Sequence, residues 1–156
     1  MAGAEQCPYF VDAQAHSVTF IEKDIWFPEG ADVELDDADG EPLDGSAHAY
    51  TMTFPDGALP PVKAFWSLTM YDGATQLFIH NPIDRYLLNS TTMDDFRFND
   101  DGSLTLLVQS DPPDDAWRAN WPAAPDGPFY MVVRLYGPEA ETLDGTRTPS
   151  PAVREE

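Results

Sequence analysis

Apolar and polar residues alternate along much of this chain with a period of two, the pattern of half-buried β-strands. The longest alternating runs, PPVKAFWSLTMY at residues 60–71 and PFYMVVRLY at residues 128–136, both begin with proline. Seven Asp-Gly pairs and fifteen prolines punctuate the sequence with turns and leave little room for long helices. Strands are predicted at residues 17–21, 47–54, 64–71, 76–79, 96–99, 103–109 and 129–136.

Side chains alternate between the two faces of a strand, so the pattern also assigns each predicted strand an apolar face. The apolar rows are Trp66, Leu68 and Met70; Phe129, Met131, Val133 and Leu135; Leu104, Leu106 and Val108; and Tyr50, Met52 and Phe54. Four such rows are enough to face two sheets together. The predicted fold class is therefore all-β, an antiparallel sandwich in a single structural domain.

The clearest local prediction is a hairpin over residues 96–109 that turns at Asp101-Gly102. The C-terminal residues indicate a tail, or an edge strand at residues 151–153. Helix is expected only in short segments, at residues 84–89 and 138–143, with a loop or a single helical turn at residues 111–120.

The chain is strongly acidic: 28 Asp and Glu against 8 Lys and Arg give a formal charge of −20. This charge repels nucleic-acid phosphates and anionic lipid surfaces, so we expect neither nucleic acid nor membrane as a partner. Two explanations of the acidity stay open. The protein functions in molar salt, where screening relieves the self-repulsion, or a GC-rich genome has made it incidentally acidic.

Cys7 is the single cysteine, which excludes an intramolecular disulfide and a thiolate metal cluster. The N-terminal residues lack the basic and apolar regions of a signal peptide, and no window reaches the length of a membrane span. We therefore expect a cytoplasmic protein, unless a leader has been removed. No phosphate loop, dinucleotide fingerprint or nucleophile elbow is present, so no cofactor is expected.

Two patterns raise the question of a metal site. His16, His48 and His80 have no metal-ligand spacing, and we predict no metal there. The acidic run at residues 36–44 imitates a calcium loop, but its glycine stands in the wrong register for an EF-hand. A solvated turn is favoured over weak calcium binding.

From Asp44 to Val153 the chain resembles a bacterial and archaeal family known as domain of unknown function 1214. The matching motifs, in the family's order, are PLDGSAHAYTMTFPDGALPPVKAFWSLTMYD, NPIDRY, DGSLTLLVQ and NWPAAPDGPFYMVVRLYGP with DGTRTPSP. The resemblance implies an antiparallel sandwich of jelly-roll type, usually the C-terminal part of a larger protein, and no settled activity. We expect residues 44–156 to form this domain and residues 1–43 an N-terminal extension that packs on it.

The NPIDRY motif is the best candidate site on both physical and family grounds. It follows a predicted strand and presents Asn81, Asp84, Arg85 and Tyr86 within one turn, beside His80. Arg85 has the planar fork that binds a carboxylate bidentately, with Asp84 to orient it. The alternative is that Asp84 and Arg85 only pin the turn.

Arg134 is a second candidate because it lies in mid-strand on the less apolar face. A partly buried guanidinium needs an anion or several carbonyls, so an internal ion pair is expected, or an anion pocket shared with Arg85. Trp117 and Trp121 lie in a polar, proline-rich segment. They form either a stacking platform for a sugar or another flat ligand, or a hydrophobic plug.

Two functions follow from these candidates. The first is a binding domain for a small ligand, a sugar or a second copy of the chain. The second is an enzyme that uses Asp84 or His80 as acid and base, with Arg85 orienting the substrate. Binding is preferred because no acid–base pair is evident. Convergence of these side chains around a cavity would favour the enzyme, and a flat aromatic surface would favour binding.

Overall fold

Seven β-strands form two sheets in the part of the chain that the computed structural model describes, which is residues 18–21, 37–81, 83–143, 146–147 and 150–155. The strands are β1 (Val18–Ile21), β2 (Tyr50–Phe54), β3 (Val62–Asp72), β4 (Leu87–Asn89), β5 (Leu104–Val108), β6 (Phe129–Pro138) and β7 (Ala152–Arg154). The helices in the same residues are short: two 3₁₀ helices at Ser90–Asp95 and Asp115–Asn120, and α1 at Ala140–Leu143. The all-β prediction is confirmed.

The larger sheet has the strand order β1-β6-β3-β4, and the smaller sheet has the order β5-β2-β7. Only β1, which pairs with β6, is parallel to its neighbour; every other pairing in these two sheets is antiparallel. β1 lies within the N-terminal stretch expected to form an extension, and the proposed domain boundary at residue 44 stays a prediction.

The apolar faces of the two sheets share one core. Every residue of the four predicted apolar rows is buried, which confirms the face assignment made from the alternation. Rings from opposite sheets meet there: Phe54 of β2 lies 5.8 Å from Trp66 of β3, between ring centroids, and Tyr50 of β2 lies 6.0 Å from Phe129 of β6. Burial of these large side chains is the main favourable term in folding.

Three predicted elements were wrong. Residues 76–79, expected to be a strand, form only a single bridge, between Phe78 and Tyr71. Tertiary contacts explain the other two differences. Residues 96–99 are not a strand, because the amide nitrogen and carbonyl oxygen of Arg97 are bound by the side chain of the buried Asn120. The turn at Asp101-Gly102 is nevertheless present, with Gly102 at φ +83°. Leu87–Asn89, expected to be helical, is the strand β4, which pairs with Ser67–Thr69.

The acidic run contains one buried carboxylate. Asp37 accepts hydrogen bonds from the amides of Asp39 and Glu41 at one oxygen, and its other oxygen forms an ion pair with Nε of Arg154 at 2.5 Å. This ion pair and the hydrogen bond from the Ala38 amide to the carbonyl of Ala152 connect the turn to β7. Asp37 therefore stabilises the smaller sheet, whereas a solvated turn was expected.

Candidate functional site

The face of β3 and β6 that points away from the core contains aromatic residues, small residues and one arginine. Its members, called here the outer face, are Phe65, Ser67, Thr69 and Tyr71 on β3 and Tyr130, Val132, Arg134 and Tyr136 on β6. The small residues lie in the middle and are buried, with Ser67 at 6% and Thr69 at 2% exposure. Aromatic pairs stand at both ends, so the outer face is unlike an ordinary solvated sheet surface.

Register explains both aromatic pairs. Tyr71 lies directly across from Tyr130, and the two rings stack at 5.2 Å between centroids with 15° between planes. Phe65 lies across from Tyr136, and these rings stack at 4.1 Å and also 15°. Directly opposed aromatic residues are among the stabilising cross-strand pairs of a sheet.

At one end of the outer face the stacking continues beyond the two strands. Phe78 stacks on Tyr71 at 5.3 Å, and Tyr86 lies 5.9 Å from Phe78 at a tilt of 54°. The four rings in order, Tyr130, Tyr71, Phe78 and Tyr86, are called here the aromatic ladder. Phe78 is 59% exposed and Tyr86 is 42% exposed, so the outer half of the ladder is open to solvent. Leu77 and Leu87, both also exposed, lie beside these two residues in sequence.

A tight turn after β3 places Phe78 in the ladder. Asp72 accepts hydrogen bonds at Oδ1 from the amides of Ala74 and Thr75 and from the Thr75 hydroxyl. The hydrogen bonds from the Thr75 hydroxyl and amide lower the pKa of Asp72 below its ordinary value. Gln76 then takes a left-handed conformation, φ +59°, which returns the chain and brings Phe78 into a bridge with Tyr71.

Arg134 is half-buried at the foot of the ladder. Its Nη1 donates to the hydroxyl of Thr69 at 3.1 Å, and its Nη2 donates to the hydroxyl of Tyr71 at 2.5 Å. Its guanidinium carbon lies 5.5 Å from the centroid of the Tyr71 ring. The ion pairs among the described residues belong to Arg118 and Arg154, so the internal ion pair expected for Arg134 is not present there.

The same surroundings shift the pKa of the Tyr130 phenol. Burial and the neighbouring Tyr71 raise the pKa of Tyr130 above its ordinary value, while the charge of Arg134 acts in the opposite direction. Tyr130 therefore stays a neutral phenol throughout the physiological range.

The NPIDRY segment is held by its own hydrogen bonds. Asn81 is buried; its side-chain amide donates to the carbonyl of Arg85, and its oxygen accepts from the amide of Ile83. Asp84 is exposed, has φ +53°, and accepts a 3.3 Å hydrogen bond from the Tyr86 hydroxyl. Of this segment, Tyr86 is the residue whose ring joins the ladder.

Arg85 binds the backbone at the end of the helix at Asp115–Asn120. Its Nη1 donates to the carbonyl of Arg118 and, at 3.0 Å, to the carbonyl of Trp121. These carbonyls lie at the C-terminal end of the second 3₁₀ helix, where backbone acceptors lack helical partners and the helix dipole favours a cation. His80 is exposed on the other side of Asn81 in sequence. Among the described residues, the side chains of Asp84, Arg85 and His80 form no hydrogen bond or ion pair with one another.

The two tryptophans occupy different environments. Trp121 is 3% exposed, and its indole nitrogen donates to the carbonyl of Gln109 at 2.8 Å, so it has no ring face open to a ligand. Trp117 is half-buried, and the guanidinium of Arg97 lies 4.6 Å from its ring centroid. Among the described residues, the two indole rings make no contact with each other.

Metal ligands do not converge in the described ranges: no group of three His, Cys, Asp or Glu side chains there is placed to hold a metal ion. His48 is exposed and contacts Tyr50 edge-on, far in sequence from His80. His16 lies outside the described residues.

The structure thus brings together two of the sequence-predicted site residues, Tyr86 and Arg134, through three residues that sequence reasoning missed. Those three are Tyr71, Phe78 and Tyr130. Tyr71 alternates with the apolar row of Trp66, Leu68 and Met70 in the sequence, so an aromatic residue on the non-core face of that strand was the available signal. The position of Phe78 depends on the Asp72 turn.

The fold and the outer face define an all-β domain with two sheets, one core and a partly exposed aromatic ladder beside an arginine. The model of one protein family, described as "Protein of unknown function (DUF1214)", matches residues 32–140. Because this match covers more than half of the sequence, the chain belongs to the DUF1214 family, as the sequence resemblance indicated.

Two solved structures are similar to this chain. The VPA0106 protein from Vibrio parahaemolyticus is 28% identical and superposes with a TM-score of 0.66 over 77% of this chain and 29% of its own. An uncharacterised protein from Burkholderia cenocepacia is 19% identical, with a TM-score of 0.41 over 73% of this chain and 27% of its own. The chain therefore spans less than a third of the length of these two proteins. No curated protein matches it.

The described part of the chain has no helix long and apolar enough to cross a membrane.

Proposed function

We propose that this domain binds a small organic molecule that carries a flat ring, an aromatic compound or a sugar, on the aromatic ladder. The observation that carries the proposal is the exposure of Phe78 and Tyr86 in line with the stacked pair of Tyr71 and Tyr130. Soluble proteins rarely leave adjacent aromatic rings exposed without a binding role, because burying such rings is strongly favourable.

Stacking energies decide how much affinity such a surface supplies. A base that stacks on an aromatic side chain gains about 1–3 kcal/mol in protein–nucleic acid complexes, and this gain depends little on which base it is. One or two stacked rings therefore give weak affinity, and a polar group beside the rings has to add the remainder. Arg134 occupies that position.

Enzymatic function has less support from the geometry. The proposed acid–base residues Asp84 and His80 are both exposed, and Nη1 of Arg85 binds two backbone carbonyls. A general acid or base is tuned by burial or by a charged neighbour. The exposed end of the aromatic ladder supports binding over catalysis.

Saturation-transfer NMR with three probes tests the proposal: benzoate, benzamide and methyl glucoside, each added to the wild-type chain and to the Phe78→Ala/Tyr86→Ala variant. We expect at least one probe to receive saturation from the wild type, with its Kd raised about tenfold or more in the variant. Phe98→Ala is the matched control, because Phe98 is an exposed aromatic ring, at 39%, outside the ladder. It is expected to bind as the wild type does.

Two outcomes would overturn the proposal. Equal transfer to the wild type and the double variant would place the binding elsewhere. A halved molecular mass of the double variant in solution, without a change in probe binding, would assign the ladder to an interface between copies of the chain. Both substituted side chains are largely exposed, so the melting temperature is expected to stay close to that of the wild type and confirms that the variant is folded.

We also propose the type of sandwich, the cellular compartment and the salt conditions in which the protein functions. The two-sheet core is of the jelly-roll type of sandwich, and the protein functions in the cytoplasm, with its carboxylate surface suited to high salt. The support comes from the shared core of the two sheets, the single cysteine and the charge of −20.

A further inference from the structure

Arg134 has a charge that the described residues do not neutralise. Both of its hydrogen-bond acceptors, the hydroxyls of Thr69 and Tyr71, are neutral. Guanidinium has five N–H donors, so further donors remain that bind no described residue. A partly desolvated cation is costly without an anion, and a chain with 28 acidic side chains has many anions to offer.

Arg154 is an arginine that stabilises the fold, and its partner is a carboxylate. Its Nε meets the buried carboxylate of Asp37, and the pair fastens β7 to the preceding turn. Arg118, on the surface, likewise meets Asp115 at 3.0 Å. Among the described residues Arg134, like Arg85 and Arg97, has no carboxylate partner, and hydroxyl groups occupy the place that a carboxylate has in the two ion pairs.

Tyr71 adds a second donor at the same point. Its hydroxyl oxygen accepts from Nη2 of Arg134, and among the described residues its own hydrogen is donated to no acceptor. A hydroxyl that accepts from a guanidinium is a good donor to an anion placed on its other side, because the neighbouring positive charge polarises it. Arg134 and Tyr71 therefore present donors of the kind that bind one anionic group.

The aromatic ladder, which lies beside Arg134, indicates what kind of molecule carries the anionic group. The Tyr71 ring that carries the donor hydroxyl stacks between Tyr130 and Phe78, so an anion at Arg134 lies next to aromatic ring edges and faces. A charge of −20 repels every anion, and it repels a dianion such as phosphate about twice as strongly as a monoanion. The planar fork of a guanidinium matches the two oxygens of a carboxylate.

Resting on the proposed function, we infer that the ligand is a small monocarboxylate with a flat, unsaturated ring. Its carboxylate binds Arg134 and the Tyr71 hydroxyl, and its ring packs against Phe78 and Tyr86.

The test compares three probes by NMR titration at one ionic strength: benzoate, its neutral isostere benzamide, and acetate, which has the charge without the ring. For the wild type we expect benzoate to bind about tenfold more tightly than benzamide, and acetate to bind more weakly than either. Arg134→Gln is expected to remove the preference, so that benzoate and benzamide bind this variant with similar Kd values. Arg118→Gln, which removes a surface arginine far from the ladder in sequence, is the matched control and should keep the preference.

The outcomes separate this inference from the proposed function. Equal Kd values for benzoate and benzamide in the wild type would overturn the carboxylate assignment and leave ring binding in place. Ring binding that is unaffected in Phe78→Ala/Tyr86→Ala would overturn both. If Arg134→Gln does not fold, Arg134→Lys and Tyr71→Phe replace it: each should lower the preference for benzoate, and an unchanged preference in both would contradict the inference.

Discussion

The two faces of β3 and β6 are built from alternate residues of the same strands, yet they differ in composition and in burial. The core face is an unbroken apolar surface in which Trp66, Leu68 and Met131 are at most 2% exposed. On the outer face, small buried residues separate two aromatic pairs, and one pair continues into the exposed ladder. The core face is explained completely by packing. On the outer face, Arg134 has no carboxylate partner among the described residues, and Phe78 and Tyr86 are exposed, so packing of those residues alone does not explain it.

The largest expected effect contrasts neighbouring residues on opposite faces. Trp66→Ala should destabilise the chain by about 3–5 kcal/mol, because it leaves a large cavity in the shared core. Phe65→Ala removes one ring of the pair with Tyr136 and should cost about 1 kcal/mol. Urea denaturation of both variants measures the difference. Similar midpoints would contradict the division of the strand into two faces.

The second effect contrasts two arginines. Arg154→Met leaves the carboxylate of Asp37 buried without its counter-ion and should cost about 3 kcal/mol. Among the described residues, Arg134→Met loses hydrogen bonds to two hydroxyls and the contact with the Tyr71 ring, and it should cost about 1 kcal/mol or less. Unfolding free energies from denaturant titration give the order, and a reversed order would mean that Arg134 is a structural residue.

The third effect concerns pH and the turn that holds Phe78. Because hydrogen bonds from Thr75 lower the pKa of Asp72 in the folded state, the turn is fully stabilised above the unfolded value of 3.8 and loses that stabilisation as pH falls through the lower folded value. Ring-proton shifts of Phe78, followed by NMR from pH 6 to pH 2, should therefore change with a midpoint below 3.8.

Thr75→Ala is the control for this titration, since it removes the largest cause of the shift, and it should move the midpoint upward. Shifts from Trp66 in the core should not follow the same curve. A single common transition for Phe78 and Trp66 would show that acid unfolds the whole domain and that the turn does not respond separately.

The smallest expected effect is a rise in melting temperature with salt, which does not distinguish the two faces. Raising KCl from low concentration to about 2 M shortens the Debye length to about 3 Å or less and relieves repulsion among the carboxylates. The melting temperature should rise by a few degrees, about 1 kcal/mol for a domain of this size. A flat or falling melting temperature would remove the support for function at high salt and would leave genome composition as the explanation of the acidity.

Periodicity was sufficient to predict most of the fold. The core rows and the strands β2, β3, β5 and β6 follow from local alternation, because burial on one face imposes a period of two. β4 was missed since three residues, two of them leucine, are too short to show a period. The strand expected at residues 96–99 failed because Asn120, more than twenty residues away, binds the backbone of Arg97.

The candidate site was less predictable because it depends on distant partners. Arg85 was a candidate ligand contact, with pinning of the turn as the alternative, and its hydrogen-bond acceptors are carbonyls 33 and 36 residues further along the chain. Phe78 joins the ladder only through the Asp72 turn and the left-handed Gln76. Such partners leave no periodic signal, and Arg134 was recognised only because a charged residue in mid-strand always requires an explanation.

The most direct test of the central claim, that the outer face is a recognition surface, is to map chemical-shift changes of aromatic ring protons during addition of benzoate. We expect changes at Tyr71, Phe78 and Tyr86, with Tyr50 and Phe129 in the core unmoved. Changes confined to Trp117 and the residues around Arg97, or ring shifts that do not respond at any benzoate concentration, would contradict it.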